Sequence, residues 1–464
     1  MLSYPSAKTT WITNATFLTQ DSRRRALQGH LQIVDGKIAK ITKSAPRLKS
    51  RGTQVIDASG LTILPGFVQA HVHLCQTLFR NQADDLELLD WLSARIWPME
   101  AAHTEETLHT SARLGIHELL SSGTTCILDM GTVRHTDSIF EAVRASGIRA
   151  SVGKCLMDHP STTPPGLREP TRDALAEALM LYKKWHGREN DRIRVSYAPR
   201  FVVSCTERLL TEVAQLAREQ KAVIHTHASE NLKEIRMVKS MVSCENVEYL
   251  HQLRLTSPRL VLAHCIWLKP NEMKILSRTG THVVHCPSSN MKLASGFARV
   301  PEMTAKKINV ALGADGAPCN NNLNMFQEMR LAALIHKPGN GPKSMRAQTV
   351  LDMATRNGAR ALNWFDHIGS IEVGKKADLI ALDLNQPENL ALVRTAGGRA
   401  AANPEALASA IVYSAQPAHV RWTMVDGRTL YRNGKVLTIS AKSLLEDVRR
   451  ARPIFKTALR SAKN

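Results

Sequence analysis

The chain has 464 residues, of which 43% are hydrophobic and 22% are charged. This composition is typical of a globular protein, and the length suits one large domain with a small accessory domain. The sequence has no apolar run near the ~18 residues that a membrane span requires. Its first residues also lack the basic and apolar regions of a secretory signal, so we expect a cytoplasmic protein with no membrane partner.

Lysine and arginine outnumber aspartate and glutamate by 61 to 41, which gives a formal net charge of +20. A field of this sign attracts nucleic acids and other anions. The basic residues are nevertheless dispersed, apart from residues 23–25 and the stretch 449–463, and no aromatic residues interleave with them. We therefore expect a solvated basic surface and no nucleic-acid partner. Charge alone leaves a nucleic-acid-binding protein as the alternative from a different class.

Both ends of the chain carry strand patterns and turn signals. Residues 11–18 and 31–38 read as strands, with Asp35-Gly36 as a hairpin turn. The same pattern of strands recurs at 377–383 and 420–431, with turn signals at Asp426-Gly427 and Asn433-Gly434. We predict that residues 1–66 and 367–440 build one small β-sandwich domain, and that 441–464 form a basic C-terminal helix or tail.

The middle of the chain alternates apolar strands with amphipathic helices. Asp137 is placed to cap a helix that stops at Gly147, and Thr206 is placed to cap another. Short apolar strands lie at 222–224, 260–263, 283–284 and 310–313. This alternation predicts an α/β fold with a parallel sheet, and a doubly wound sheet fits it as well as a barrel does.

Polar residues at the ends of these strands favour a (β/α)8 barrel over residues 67–366, because catalytic residues of such barrels come from the C-terminal ends of several strands. In each case an apolar run ends in a residue able to bind a metal ion. His71 and His73 end one run and share a face, since side chains alternate along a strand. The remaining residues of this kind are His227 with Glu230, His264 and Asp315. We interpret His225 as a packing residue or as a partner that orients the others.

These motifs, with the closing segment 369–379, resemble the amidohydrolase superfamily, in the branch of adenosine-type deaminases, guanine deaminases and triazine hydrolases. The resemblance implies a homo-oligomer and one divalent metal ion, zinc or alternatively iron. One ion is favoured because the segment 195–201 has no lysine to bridge two. The implied ligands are His71, His73, His227 and Asp315.

The resemblance also implies hydrolytic deamination of a small heterocyclic substrate. Water adds to an amidine-like carbon, and ammonia leaves. Glu230 is the implied general acid and base, Asp315 takes the proton of the attacking water, and His264 contacts that water or the substrate. Retention of both Glu230 and Asp315 favours loss of ammonia over dechlorination.

The substrate signals point in two directions. Glu100, after Trp97-Pro98, resembles a ribose-binding glutamate and favours a 5′-modified adenosine: 5′-deoxyadenosine, methylthioadenosine or S-adenosylhomocysteine. Gln76, Lys154, Arg200 and Phe201 resemble guanine deaminase instead, so guanine or another oxopurine stays open. A triazine hydrolase is the third alternative. All five residues are predicted to bind substrate.

Overall fold

The computed structural model describes residues 8–46, 52–387, 389 and 403–461. The predictions made for residues 1–7, 47–51, 388, 390–402 and 462–464 lie outside these described residues. The strands are β1 Thr9–Leu18, β2 Ala26–Val34, β3 Lys37–Thr42, β4 Thr53–Asp57, β5 Thr62–Pro65, β6 Phe67–His73, β7 Thr124–Thr132, β8 Arg149–Leu156, β9 Ile193–Pro199, β10 Ile224–Ala228, β11 Leu260–His264, β12 His282–His285, β13 Val310–Leu312, β14 Asp315–Gly316, β15 Leu379–Leu382, β16 Val420–Val425, β17 Arg428–Arg432 and β18 Lys435–Val436.

The helices and single helical turns are α1 Leu88–Trp91, α2 Trp97–Ala101, α3 Glu105–Ser121, α4 Thr136–Ser146, α5 Thr171–Trp185, α6 Arg188–Asp191, α7 Glu207–Gln220, α8 Leu232–Val242, α9 Asn246–Gln252, α10 Pro270–Thr279, α11 Pro287–Lys292, α12 Val300–Ala305, α13 Ala317–Asn320, α14 Met325–Leu334, α15 Lys337–Asn340, α16 Ala347–Asp352, α17 Gly358–Ala361, α18 Pro404–Tyr413 and α19 Ala441–Ser461. A π-helical segment at Leu92–Ile96 joins α1 to α2, and a second at Met353–Asn357 joins α16 to α17. Among the described residues, none of these helices has the length and apolarity to cross a membrane.

The larger sheet closes on itself. Strands β6 to β13 pair in sequence order, every pair is parallel, and β14 pairs back with β6. Only residues 313 and 314 separate β13 from β14, so these two segments act as one interrupted strand and complete a barrel of eight strands. The predicted (β/α)8 barrel is confirmed, and closure excludes the doubly wound sheet. The C-terminal ends of the strands therefore meet at one mouth.

The smaller sheet takes its strands from both chain ends, as predicted. Its order is β18-β17-β16-β15-β5-β1-β2-β3, with β4 paired to β1. Asp35 and Gly36 both have positive φ, at 47° and 76°, and so do the two turn residues at Asp426-Gly427, at 49° and 72°. These values fit the tight turns whose twist matches paired strands. Apolar residues of both chain ends then share one core.

The chain passes from the small sheet into the barrel at Gly66, between β5 and β6. A Cβ atom at this position would lie 2.1 Å from the Thr125 side chain, so only glycine allows the two strands to approach so closely. His71 and His73 end β6, and their side chains enter the barrel mouth. The small sheet thereby anchors the first strand of the site.

Of the two predicted helix caps, the structure confirms one and contradicts the other. Thr206 caps α7 as predicted, since its hydroxyl accepts from the Leu209 amide at 3.2 Å. Asp137 does not cap α4. The helix begins at Thr136, one residue before Asp137, and His135 is its N-cap residue. The Asp137 carboxylate instead accepts from the Trp185 indole at 2.7 Å. The prediction of this cap was wrong because a tertiary contact takes the carboxylate away from the backbone.

Candidate metal centre and active site

Four side chains from three places in the barrel converge at its mouth. His71 and His73 come from the end of β6, His227 from β10, and Asp315 from β14. One potential ligand atom of each lies within 4.8 Å of the corresponding atoms of the others. Three imidazole nitrogens and one carboxylate oxygen form a donor set of the type that divalent metal ions bind. The structure thus brings together all four residues that the sequence proposed as ligands.

The hydrogen bonds of His227 test whether a cation fits between these residues. Its Nδ1 donates to the Arg200 carbonyl oxygen at 2.6 Å, so a neutral imidazole presents an unprotonated Nε2. That Nε2 lies 3.3 Å from Nε2 of His73. Burial and the neighbouring His71 lower the pKa of both side chains well below its usual value, which favours their neutral forms. His227 Nε2 therefore offers a lone pair to the donor set, and a neutral His73 can offer one through its own Nε2, so the residues fit a metal ion.

The Asp315 carboxylate is oriented from both sides. Its Oδ1 lies 3.1 Å from His71 Nε2 and 3.3 Å from His73 Nε2, while the Ser289 hydroxyl donates to Oδ2 at 2.6 Å. Although burial raises the pKa of Asp315, the surrounding imidazoles outweigh it and hold the pKa well below its usual range. Asp315 is therefore ionised, as a ligand carboxylate must be.

His225 lies directly behind a predicted ligand. Its Nε2 is 2.7 Å from Nδ1 of His71, and both rings are fully buried. An imidazole that ligates through one nitrogen commonly bonds through the other, which fixes its orientation. His225 is placed to do this for His71, in agreement with the orienting interpretation of its sequence position.

Glu230 and His264 face each other beside the donor set. Glu230 Oε2 lies 3.4 Å from His264 Nε2, and His264 Nε2 lies 3.9 Å from Asp315 Oδ2. Burial raises the pKa of Glu230 to about 7, and the charge of His264 only partly opposes that shift. A carboxyl group that titrates near neutral pH can both give and take a proton under working conditions.

One pocket opens onto this arrangement. Flat and apolar side chains form part of its wall, which suits an aromatic heterocycle. The residues that line it are His73, Gln76, Leu88, Trp91, Leu92, Arg200, Phe201, His227, Glu230, Glu234, His264, Leu293 and Asp315.

The five predicted substrate contacts divide into two groups. Gln76, Arg200 and Phe201 line the pocket. Glu100 does not line it. Its carboxylate accepts from Arg200 Nη1 at 2.5 Å, from Arg200 Nη2 at 3.2 Å and from Gln76 Nε2 at 2.8 Å. Lys154 does not line the pocket either, and its ammonium group lies 2.6 Å from Glu169 and 3.1 Å from Glu177.

Sequence reasoning missed three polar residues that support the site. Ser289 bonds to Asp315, and Asn290 Oδ1 accepts from His264 Nδ1 at 2.8 Å. Asp129 accepts from the Leu74 amide at 2.7 Å and from Gly131, and burial raises its pKa to about 7. A signal was present for all three. Asp129 follows the apolar pair Ile127-Leu128 inside β7, and Ser289 and Asn290 lie within five residues of the end of β12.

Comparison with known proteins agrees with this geometry. The Amidohydrolase family matches residues 62–430, and the chain belongs to that family. A 5-methylthioadenosine/S-adenosylhomocysteine deaminase of Syntrophobacter fumaroxidans is 38% identical over 94% of this chain and 96% of its own. A 5′-deoxyadenosine deaminase of Methanosarcina acetivorans is 37% identical over 95% of this chain and 96% of its own.

A solved structure gives the same result for the fold. An adenosine deaminase from Xanthomonas campestris with bound zinc superposes with a TM-score of 0.87, at 29% identity, covering 97% of this chain and 98% of that one. The amidohydrolase family is metal-dependent, and the four converging residues form the corresponding candidate site here.

Proposed function

We propose that this chain is a metal-dependent aminohydrolase that removes the amino group of a 5′-modified adenosine as ammonia, with 5′-deoxyadenosine, methylthioadenosine and S-adenosylhomocysteine as the candidate substrates. The observation that carries the proposal is the largely buried donor set beside the Glu230–His264 pair, in one pocket with an apolar wall. The names of the similar deaminases support the substrate class.

His71, His73, His227 and Asp315 would hold one divalent ion, which we propose to be zinc because a similar deaminase is described with bound zinc. When bound, such an ion lowers the pKa of water towards neutrality and so supplies a nucleophile. The segment Ile193–Pro199 of β9 contains no lysine, which supports one ion over two.

The chain's own residues supply the proton transfers. Near neutral pH a large fraction of Glu230 is protonated, so it can donate to a ring nitrogen and make the adjacent carbon electrophilic. Asp315, which is ionised, can accept the proton of the attacking water. His264 lies between the two carboxyl groups and can hold that water or the substrate in place. Each such transfer contributes about 10²- to 10⁴-fold in rate.

Guanine or another oxopurine remains a second candidate because of the Arg200 side chain. Arg200 and Gln76 line the pocket and offer donors to a polar heterocycle edge, whereas Glu100 is engaged by both of them. The ribose contact expected of Glu100 and the substrate contact expected of Lys154 stay predictions. They require these side chains to exchange their present partners for substrate.

The test combines metal analysis with an ammonia-release assay on 5′-deoxyadenosine, methylthioadenosine, S-adenosylhomocysteine, adenosine, guanine and an aminotriazine. We expect one zinc per chain and highest kcat/KM on a 5′-modified adenosine. Glu230→Gln should reduce kcat by at least about 10²-fold with metal retained. Glu272→Gln, a buried glutamate with no contact to the pocket, is the matched control. Full turnover by Glu230→Gln would contradict the mechanism, and preference for guanine would select the second candidate.

We propose a small β-sandwich domain from residues 1–66 and 367–440, a barrel over 67–366 and a basic C-terminal helix or tail at 441–464. We further propose a cytoplasmic homo-oligomer without a nucleic-acid partner. Light scattering after size exclusion tests the oligomer, and a salt-dependent gel shift tests nucleic-acid binding.

A further inference from the structure

The turn that follows strand β12 sends two adjacent side chains back into the barrel mouth. Helix α11 begins at Pro287, two residues after β12 ends, and carries Ser289 and Asn290 in its first turns. Both are fully buried. Ser289 bonds to the carboxylate of Asp315, and Asn290 bonds to the imidazole of His264. One short element therefore contacts two groups of the candidate active site at once.

We propose that Asn290 is a positioning residue that sets the orientation of the His264 ring. Its carboxamide oxygen lies 2.8 Å from His264 Nδ1, and a carbonyl oxygen can only accept, so Nδ1 carries the hydrogen. The other ring nitrogen, Nε2, then faces Glu230 at 3.4 Å and Asp315 at 3.9 Å. Without Asn290 the ring has no partner at Nδ1, and nothing at that nitrogen keeps Nε2 facing Glu230 and Asp315.

Ser289 gives the same kind of support to the neighbouring carboxylate. Its hydroxyl at 2.6 Å from Asp315 Oδ2 leaves Oδ1 facing the imidazoles of His71 and His73. The two hydrogen bonds come from consecutive residues, so one short helix contacts both His264 and Asp315. Preorganised groups of this kind need no reordering when the reaction begins.

The inference rests on the proposed hydrolysis at this site, and the experiment separates the two. The metal-loaded enzyme is compared as wild type, Asn290→Leu, Asn290→Asp and Asn357→Leu. Asn290→Leu removes the acceptor at similar size, while Asn290→Asp keeps an oxygen in its place. Asn357 is the matched control, because it bonds to the Val310 carbonyl at 2.9 Å, at the opposite end of its strand from Asp315.

Kinetics give the first readout. We expect Asn290→Leu to lower kcat about 30-fold or more, with KM changed less than about 3-fold and metal content unchanged. Asn290→Asp should recover most of that loss, and Asn357→Leu should keep the wild-type kcat. An equal loss of kcat in Asn357→Leu, or a loss of twofold or less in Asn290→Leu, would overturn the proposal.

A second readout does not require turnover. In protein labelled with ¹⁵N-histidine, the Nδ1–H group of His264 reports its hydrogen bond, and His264→Gln identifies its signal. We expect this proton to be shifted downfield and to exchange slowly in wild type and in Asn290→Asp, and to move upfield or exchange rapidly in Asn290→Leu. An unchanged Nδ1–H signal in Asn290→Leu refutes the inference. Absence of ammonia release from every substrate refutes the proposed function alone.

Discussion

The buried ion pair between Arg200 and Glu100 offers a quantitative test of how the pocket is built. It joins the residue that follows β9 to helix α2, and the two side chains are 5% and 4% exposed. Their shortest contact is 2.5 Å, and Gln76 adds a third hydrogen bond to the same carboxylate. Burial alone would lower the pKa of Arg200, but the charge of Glu100 outweighs it and raises the pKa above its usual value.

Glu100→Gln leaves the Arg200 guanidinium buried without its counter-charge. Removing one partner of a buried pair costs about 3–5 kcal/mol because it leaves an uncompensated buried charge, whereas removing both charges leaves none. We therefore expect Glu100→Gln and Arg200→Met each to lower the free energy of unfolding by about 3–5 kcal/mol. The double variant should lose less than either single variant, so the two effects are strongly non-additive.

Urea unfolding of the metal-loaded enzyme, followed by tryptophan fluorescence, measures these differences. Glu141→Gln is the control, because it breaks an exposed pair with Arg144, 37% and 43% exposed, and should cost less than about 1 kcal/mol. The reasoning is refuted if the single variants lose no more than this control, or if their losses simply add in the double variant. Additive losses would mean that each residue acts through separate contacts.

Three further predictions concern pH, the C-terminal helix and the thiols. Burial raises the pKa of Glu272 to about 7, so its contribution to the free energy of unfolding should fall by up to about 3 kcal/mol as pH rises from 4.5 to 7. The free energy of unfolding, measured with urea at pH 5 and pH 8, should fall less with pH in Glu272→Gln than in wild type. An equal fall in the two proteins would contradict this prediction. Phe455→Ala should cost about 3–5 kcal/mol, because the ring is fully buried on α19 and lies 5.0 Å from Phe79. Trypsin should then cleave α19 faster than in wild type, and equal cleavage would show that this contact does not hold the helix. Of the eight free cysteines only Cys244 is partly exposed, so a disulfide reagent should modify one thiol in the native protein and all eight in denaturant. Rapid native modification of Cys244→Ser would show that a buried thiol is accessible.

Local sequence was enough to predict the features that depend on neighbouring residues. His71 and His73 share a face because side chains alternate along any strand, whatever surrounds it. Asp35-Gly36 makes a hairpin turn because both residues tolerate positive φ. Apolar runs that end in polar residues also sufficed to predict a barrel with its site at one mouth, since parallel strands place their ends together.

The partners of side chains that lie far apart in the chain depend on how the helices and strands pack. Nothing near Arg200 in the sequence indicates that Glu100 takes its guanidinium, or that Asn290 holds the ring of His264. The same holds for Asp137, whose carboxylate bonds to Trp185 on another helix instead of capping its own. A buried polar group must find a partner, and which partner is in reach depends on how helices and strands pack, which no local pattern encodes.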